Sequence, residues 1–247
     1  MANRDEIARY CDELLEPAAF ADVLPNGLQV PGAAEVRKLL SGVTASLELF
    51  ERAAAAGAQM VLAHHGMFAG SGPRRPLDRF EKARLQALFE ADLSLLAYHL
   101  PLDAHPQIGN NALLARMLSL AGLERFAGIG WIGRLVNPCS LVDLLATVRR
   151  HIGEPLVFDA GPDVIERVAI VSGSAAGETL AAARAGADCF LTGEPKEAAM
   201  SDTREAGIHF VAAGHYATEV FGVRALGDRM AAAFGIEHEF ADIPNPV

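Results

Sequence analysis

RKLLSGVTASLELFERAAAAGAQMVLA, residues 37–63, runs from one apolar segment to another through an alanine-rich stretch closed by a glycine. Residues 37–43 read as a strand, 47–56 as a helix that Gly57 ends, and 59–63 as a second, buried strand. That is a β-α-β unit. A similar phrase returns as a strand at 167–171 (RVAIV), a helix at 178–185 and a strand at 188–192 (DCFLT). At one fixed offset Ala56-Gly57-Ala58 answers Ala185-Gly186-Ala187, and Leu62 answers Leu191. Two related halves follow from that match, although an A-G-A turn also arises independently from the glycine preference at helix ends. Each half continues helix-strand, 78–91 into 93–98 and 198–206 into 209–213. The expected fold class is α/β: two similar halves with mainly parallel sheets flanked by helices, and a metal site in the crevice between them. The glycines of 127–137 and Pro138 break the pattern, so the expected domains are 1–127, to which the segment 237–247 can return, and 128–236.

The chain has 247 residues, 51% of them hydrophobic, enough for one or two compact cores. A formal charge of −10 argues against gripping nucleic acid or an anionic membrane through net charge, while leaving a local basic groove open. Cys11, Cys139 and Cys189 are widely spaced without a CxxC pair, which argues against a disulfide framework or a cysteine zinc site. The opening MANRDEIARYCDELLEP alternates charge with apolar residues at helical spacing and lacks a signal-peptide core. No apolar run approaches the ~18 residues of a membrane span, and a cytoplasmic location is the expectation.

Three strands end in side chains able to bind metal. After 59–63 come His64 and His65; after 93–98 come His99 and Asp103; after 209–213 come His215 and Glu219. In open α/β sheets ligands bind beyond the carboxyl ends of the strands. Imidazole and carboxylate together suit zinc, iron, manganese, nickel or cobalt. His215 and Glu219, four apart, share one face if the segment is helical. Adjacent His64 and His65 cannot point the same way from a regular strand, which suggests two ions with a carboxylate between them. A single histidine at a strand end is more often structural; three strand ends together argue otherwise. His105, His151, His209 and His238 lack such company and read as structural or surface residues.

Other motifs are weaker. Residues 128–133 spell GxGxxG but precede RLVNP rather than a helix, so they read as a turn opening a strand and not as a dinucleotide site. Residues 172–177 (SGSAAG) follow a strand and precede a helix, where they could cradle a phosphate or simply form a tight turn. There is no GxSxG elbow.

The motifs LPNGLQV (24–30), SGVTAS (41–46), AHHGMF (63–68), YHLPLDAHPQIGNNALLA (98–115), LTGE (191–194), AGHYATE (213–219) and DIPNP (242–246) resemble those of the NIF-three-like dinuclear-metal proteins, which carry the label GTP cyclohydrolase 1 type 2 homolog. The resemblance spans nearly the whole chain. It implies metal ligands at His64, His65, Asp103, His215 and Glu219, with Glu219 as the bridge and His99 behind the ligands or facing substrate. It also implies a homohexameric ring, two divalent ions per chain and GTP ring opening.

Two divalent ions against Asp103 and Glu219 leave a net charge of about +2, which favours a small anionic substrate such as a nucleotide. The expected function is metal-dependent hydrolysis, with a metal-activated water attacking an electrophilic centre, and Tyr98, His99 and Glu194 as acid/base or substrate groups. The alternative is a non-catalytic metal-binding scaffold or regulatory hexamer that binds protein or nucleic acid. A third reading, nucleotide binding by SGSAAG without metal, predicts loss on Gly173→Val.

Overall fold

A computed structural model describes residues 1–68 and 76–247. In chain order the elements are β1 (Ala2–Asn3), α1 (Arg4–Leu15), β2 (Gly27–Val30), β3 (Glu35–Val36), β4 (Lys38–Thr44), α2 (Leu47–Ala55), β5 (Met60–His65), α3 (Arg79–Glu90), β6 (Ser94–Ala97), α4 (Leu100–Ala104) and α5 (Asn110–Met117). The chain continues with β7 (Leu120–Phe126), β8 (Gly130–Cys139), α6 (Leu141–His151), β9 (Leu156–Phe158), β10 (Ile165–Ile170), α7 (Thr179–Arg184), β11 (Cys189–Thr192), α8 (Glu197–Ala206), β12 (His209–Ala212), α9 (His215–Phe234) and β13 (Glu237–Phe240).

Two compact units result: Met1–Leu102 with Gly222–Ile243, and Asp103–Phe221 with Pro244–Val247. The division falls at Leu102/Asp103 rather than near residue 127. The glycines that suggested a boundary there serve a hairpin instead. Gly128 takes φ +78°, a left-handed conformation glycine adopts without strain, in the turn that pairs β7 with β8.

In the first unit the sheet order is β13-β4-β5-β6-β2. The pairs β13/β4, β4/β5 and β5/β6 are parallel, and only the edge strand β2 runs antiparallel, against β6. The expectation of a mainly parallel sheet holds here. Its three central strands, β4, β5 and β6, are buried on both faces, as near-continuous apolar runs should be. Leu40, Val61, Ala63 and Leu95 form one core with Leu49, Phe50 and Ala53 of α2 and Leu88 of α3. The helix starts are local sequence devices: Asn3, Ser46 and Asp78 each accept backbone N–H bonds of the turn that follows, and Asp78 with Glu81 closes a capping box.

The second unit's sheet, β7-β8-β10-β11-β12-β9, corrects that expectation. Only β10/β11 and β11/β12 are parallel; β7/β8, β8/β10 and β12/β9 are antiparallel. A hairpin needs only a tight turn to reverse the chain, whereas a parallel return needs a crossover, and the Ala127–Ile129 turn supplies the former. The period of two then sorts the core. Val168, Ile170, Cys189, Leu191 and Val211 face Leu144 and Val148 of α6, while Ala169, Phe190, Phe210 and Ala212 face Ala182 of α7 and Ala199 of α8.

Both sheets thus contain the same β-α-β-α-β run, β4-α2-β5-α3-β6 and β10-α7-β11-α8-β12. Among the described residues no helix is long and apolar enough to cross a membrane. Cys11, Cys139 and Cys189 are free thiols.

Candidate metal centre

In the first unit β5 carries His64 and His65 at its carboxyl end, and His99 follows β6 by two residues. Parallel pairing of β5 with β6 sets those ends side by side. The imidazole rings lie 4.8 Å (64–65), 5.1 Å (64–99) and 5.5 Å (65–99) apart between centroids. One ring nitrogen from each falls within 4.8 Å of the others. His64 is fully buried, and its Nδ1 pairs with the Tyr98 carbonyl at 2.9 Å. His99 Nδ1 pairs with Asp22 Oδ1 at 2.9 Å, and its backbone N–H donates to Asn26 Oδ1 at 2.7 Å. Such Nδ1 bonds set ring orientation and tautomer, so that Nε2 is the nitrogen each ring offers to an ion.

Tyr98 is corrected by its placement. The ring is fully buried, and its hydroxyl donates to Asp12 Oδ1 at 2.7 Å and faces the Ala8 carbonyl. Burial, foremost, pushes its phenol far above the usual value, with Asp12 adding to the shift. What Tyr98 gives the cluster is its carbonyl; its hydroxyl is a post holding α1. Tyr98→Phe is therefore expected to cost about 1–2 kcal/mol of stability, read from urea unfolding, and to leave metal content unchanged.

In the second unit Asp103 is 2% exposed and its Oδ1 accepts from Asn110 Nδ2 at 2.8 Å and from Ser172 Oγ at 3.1 Å. Asn111 holds the backbone around it, donating to the Asp103 and Ile129 carbonyls while accepting from the Ser172 N–H at 2.7 Å. A buried carboxylate without such donors would be costly. His215 opens α9, and Glu219, four residues on and 2% exposed, meets it at 3.1 Å from Nε2 to Oε2. Glu194, beyond β11, hydrogen-bonds His215 Nδ1 from behind. The hydrogen bond to Glu219, against the opposing effect of burial and with help from Glu194, pushes the His215 imidazole up to about 9.

Glycine backbone packs against this pair. A Cβ on Gly173, at φ +66°, would lie 2.3 Å from Glu219 Oε1 and 3.3 Å from His215 Nε2. A Cβ on Gly193 would lie 2.6 Å from the Gly173 carbonyl and 2.7 Å from His215 Cα. The SGSAAG segment is therefore part of the wall around Glu219. Three of its amides are engaged: Ser172 N–H with Asn111, Gly173 N–H with Thr218 Oγ1 and Ala175 N–H with Thr192 Oγ1. A phosphate cradle needs backbone donors, and these three amides are taken.

The donors fit borderline divalent ions: imidazole nitrogens and carboxylate oxygens, with oxygen partners behind the rings. Sequence reading located the strand-end groups. It missed Asp22, Asn110, Asn111 and Thr218, although IGNNALLA and AGHYATE carried the last three as unexplained polar residues inside motifs.

Comparison with known proteins places the chain in a family. The family model Duf34/NIF3 (NGG1p interacting factor 3) matches residues 2–246. A Pseudomonas aeruginosa protein named GTP cyclohydrolase 1 type 2 homolog is 46% identical, covering 97% of each chain. One of that name from Allochromatium vinosum is 43% identical over 100% of this chain and 98% of its own. Among solved structures, the protein ybgI, described as of unknown function, superposes with TM-score 0.95 at 39% identity over 100% of both chains. A Thermus thermophilus protein gives TM-score 0.92 at 38% identity, again over 100% of both. The chain belongs to the Duf34/NIF3 family.

Proposed function

We propose that this protein is a dinuclear metal-dependent hydrolase of a small anionic, nucleotide-like substrate, with His64, His65, Asp103, His215 and Glu219 as the metal-binding groups. The observation that carries the reading is the bracing of buried and half-buried donors. His64 is held at Nδ1 by a carbonyl, His215 by Glu194, and Asp103 by Asn110 and Ser172. Proteins hold metal-binding side chains in this way. The ions, when bound, would supply Lewis acidity and lower the pKa of water. The chain's own contribution is orientation. Glu194 acts as a positioning residue behind His215, and Asn110 and Ser172 aim Asp103.

The relatives' name supports GTP as the first substrate to try. A ring opening of guanine would place triphosphate near two cations, which suits the charge argument. A homohexamer and a cytoplasmic setting belong to the same proposal, the latter consistent with three free thiols. The test is hydrolysis of GTP and other nucleotides, followed by chromatography of products, with metal-loaded and chelator-treated protein. His65→Ala should lose metal and turnover together while keeping its fold by circular dichroism. Retention of both ions by that variant at pH 7 would sink the assignment of His65. A metal-replete protein that turns over no nucleotide would favour the scaffold reading.

A further inference from the structure

The two halves place an imidazole at the same topological point, and the equivalence extends behind it. His99 follows β6, the third strand of β4-α2-β5-α3-β6; His215 follows β12, the third strand of β10-α7-β11-α8-β12. A helix begins at once in both cases, α4 at Leu100 and α9 at His215 itself. Each ring is then clamped at Nδ1 by a carboxylate of its own unit, His215 by Glu194 and His99 by Asp22.

Asp22 is built for this task. Its side chain is 3% exposed. Besides His99 it accepts from the Leu24 N–H at 3.0 Å, the Leu100 N–H at 3.0 Å and Asn26 Nδ2 at 3.0 Å. A surface ion pair would leave both side chains free to move; this carboxylate is locked from four sides. With Nδ1 engaged, the nitrogen of His99 that can meet the 64–65 pair is Nε2.

We propose that His99 is a further metal-binding group of the centre, the third imidazole that its own unit supplies beside His64 and His65, and that Asp22 is its positioning residue. The inference rests on the metal-centre reading above and adds a residue which that reading leaves outside the ligand set. Imidazole from three side chains suits zinc or cobalt better than magnesium or calcium.

The test titrates the metal-free full chain with Co²⁺ alone and follows its visible absorption bands, for wild type, His99→Ala, Asp22→Ala, Asp22→Asn, the His99→Ala/Asp22→Ala double variant and His64→Ala. His99→Ala should weaken Co²⁺ binding about 10–100-fold and alter the bands, and Asp22→Ala should do the same to a similar or smaller degree. The double variant should be no worse than His99→Ala. Asp22→Asn, which keeps an oxygen to accept from Nδ1–H, should return the wild-type spectrum; a merely structural Asp22 would change stability without changing the bands. Should Asp22→Ala fail to fold, His99→Ala carries the test alone. Wild-type affinity and bands in His99→Ala, together with loss in His64→Ala, overturn this proposal and leave the metal centre standing. No Co²⁺ binding by wild type overturns both.

Discussion

Gly173→Val is expected to empty the centre of metal while costing the fold about 2–4 kcal/mol, the sum of a β-branched residue forced to positive φ and an overpacked contact. The glycine cannot retreat. Its N–H donates to Thr218 Oγ1, and its carbonyl accepts from the Gly193 and Glu194 N–H groups and from Thr192 Oγ1. The relief must come from Glu219, whose Oε1 would lie 2.3 Å from the new Cβ. A carboxylate pushed aside would no longer be placed to hold an ion together with His215. Elemental analysis of the variant, with urea unfolding beside it, reads both effects. Full metal content in a folded Gly173→Val protein would contradict the packing account. The substitution also separates this reading from metal-independent nucleotide binding by SGSAAG, which would leave metal content intact and abolish nucleotide binding.

The second large effect is a pH dependence of the metal-free protein. His215 moves from an ordinary value of 6.5 to about 9, chiefly through the Glu219 hydrogen bond. A group whose pKa rises on folding gives stability that is fully present below the unfolded value and lost as pH climbs through the folded one. Chelator-treated protein is therefore expected to lose stability between pH 6.5 and about 9, on the order of 2–3 kcal/mol. The urea midpoint of wild type should fall across that window, and the midpoint of His215→Gln should stay nearly level. A wild-type midpoint as level as the variant's would show that Glu219 and Glu194 do not hold the proton. A cation held by His215 and Glu219 would compete with that proton, so metal-loaded protein should lose much of this dependence.

How far the sequence reached follows the range of each interaction. The strands that end in His64-His65, before His99 and before His215 were legible because an apolar run stopping at a polar pair is a local pattern. The helical spacing of His215 and Glu219 was legible for the same reason and is met in α9. The division of the chain was not. A glycine turn looks alike whether it separates domains or closes a hairpin, and here it joins β7 to β8 within one sheet. The braces were invisible too: Asp22 meets His99 across 77 residues of chain, and Asn111 meets Ser172 across 61. Nothing periodic links such partners. Tyr98 shows the converse error, since a tyrosine beside a candidate ligand invites a chemical role that its burial denies.

The most direct measurement is the metal content per chain of wild type and Glu219→Ala, by elemental mass spectrometry after purification without chelator or affinity metal. The account predicts about two ions per chain in wild type and a clear loss in Glu219→Ala with its fold retained. Wild-type protein that holds no ion, even after loading with zinc or manganese, would contradict it and make the histidines structural.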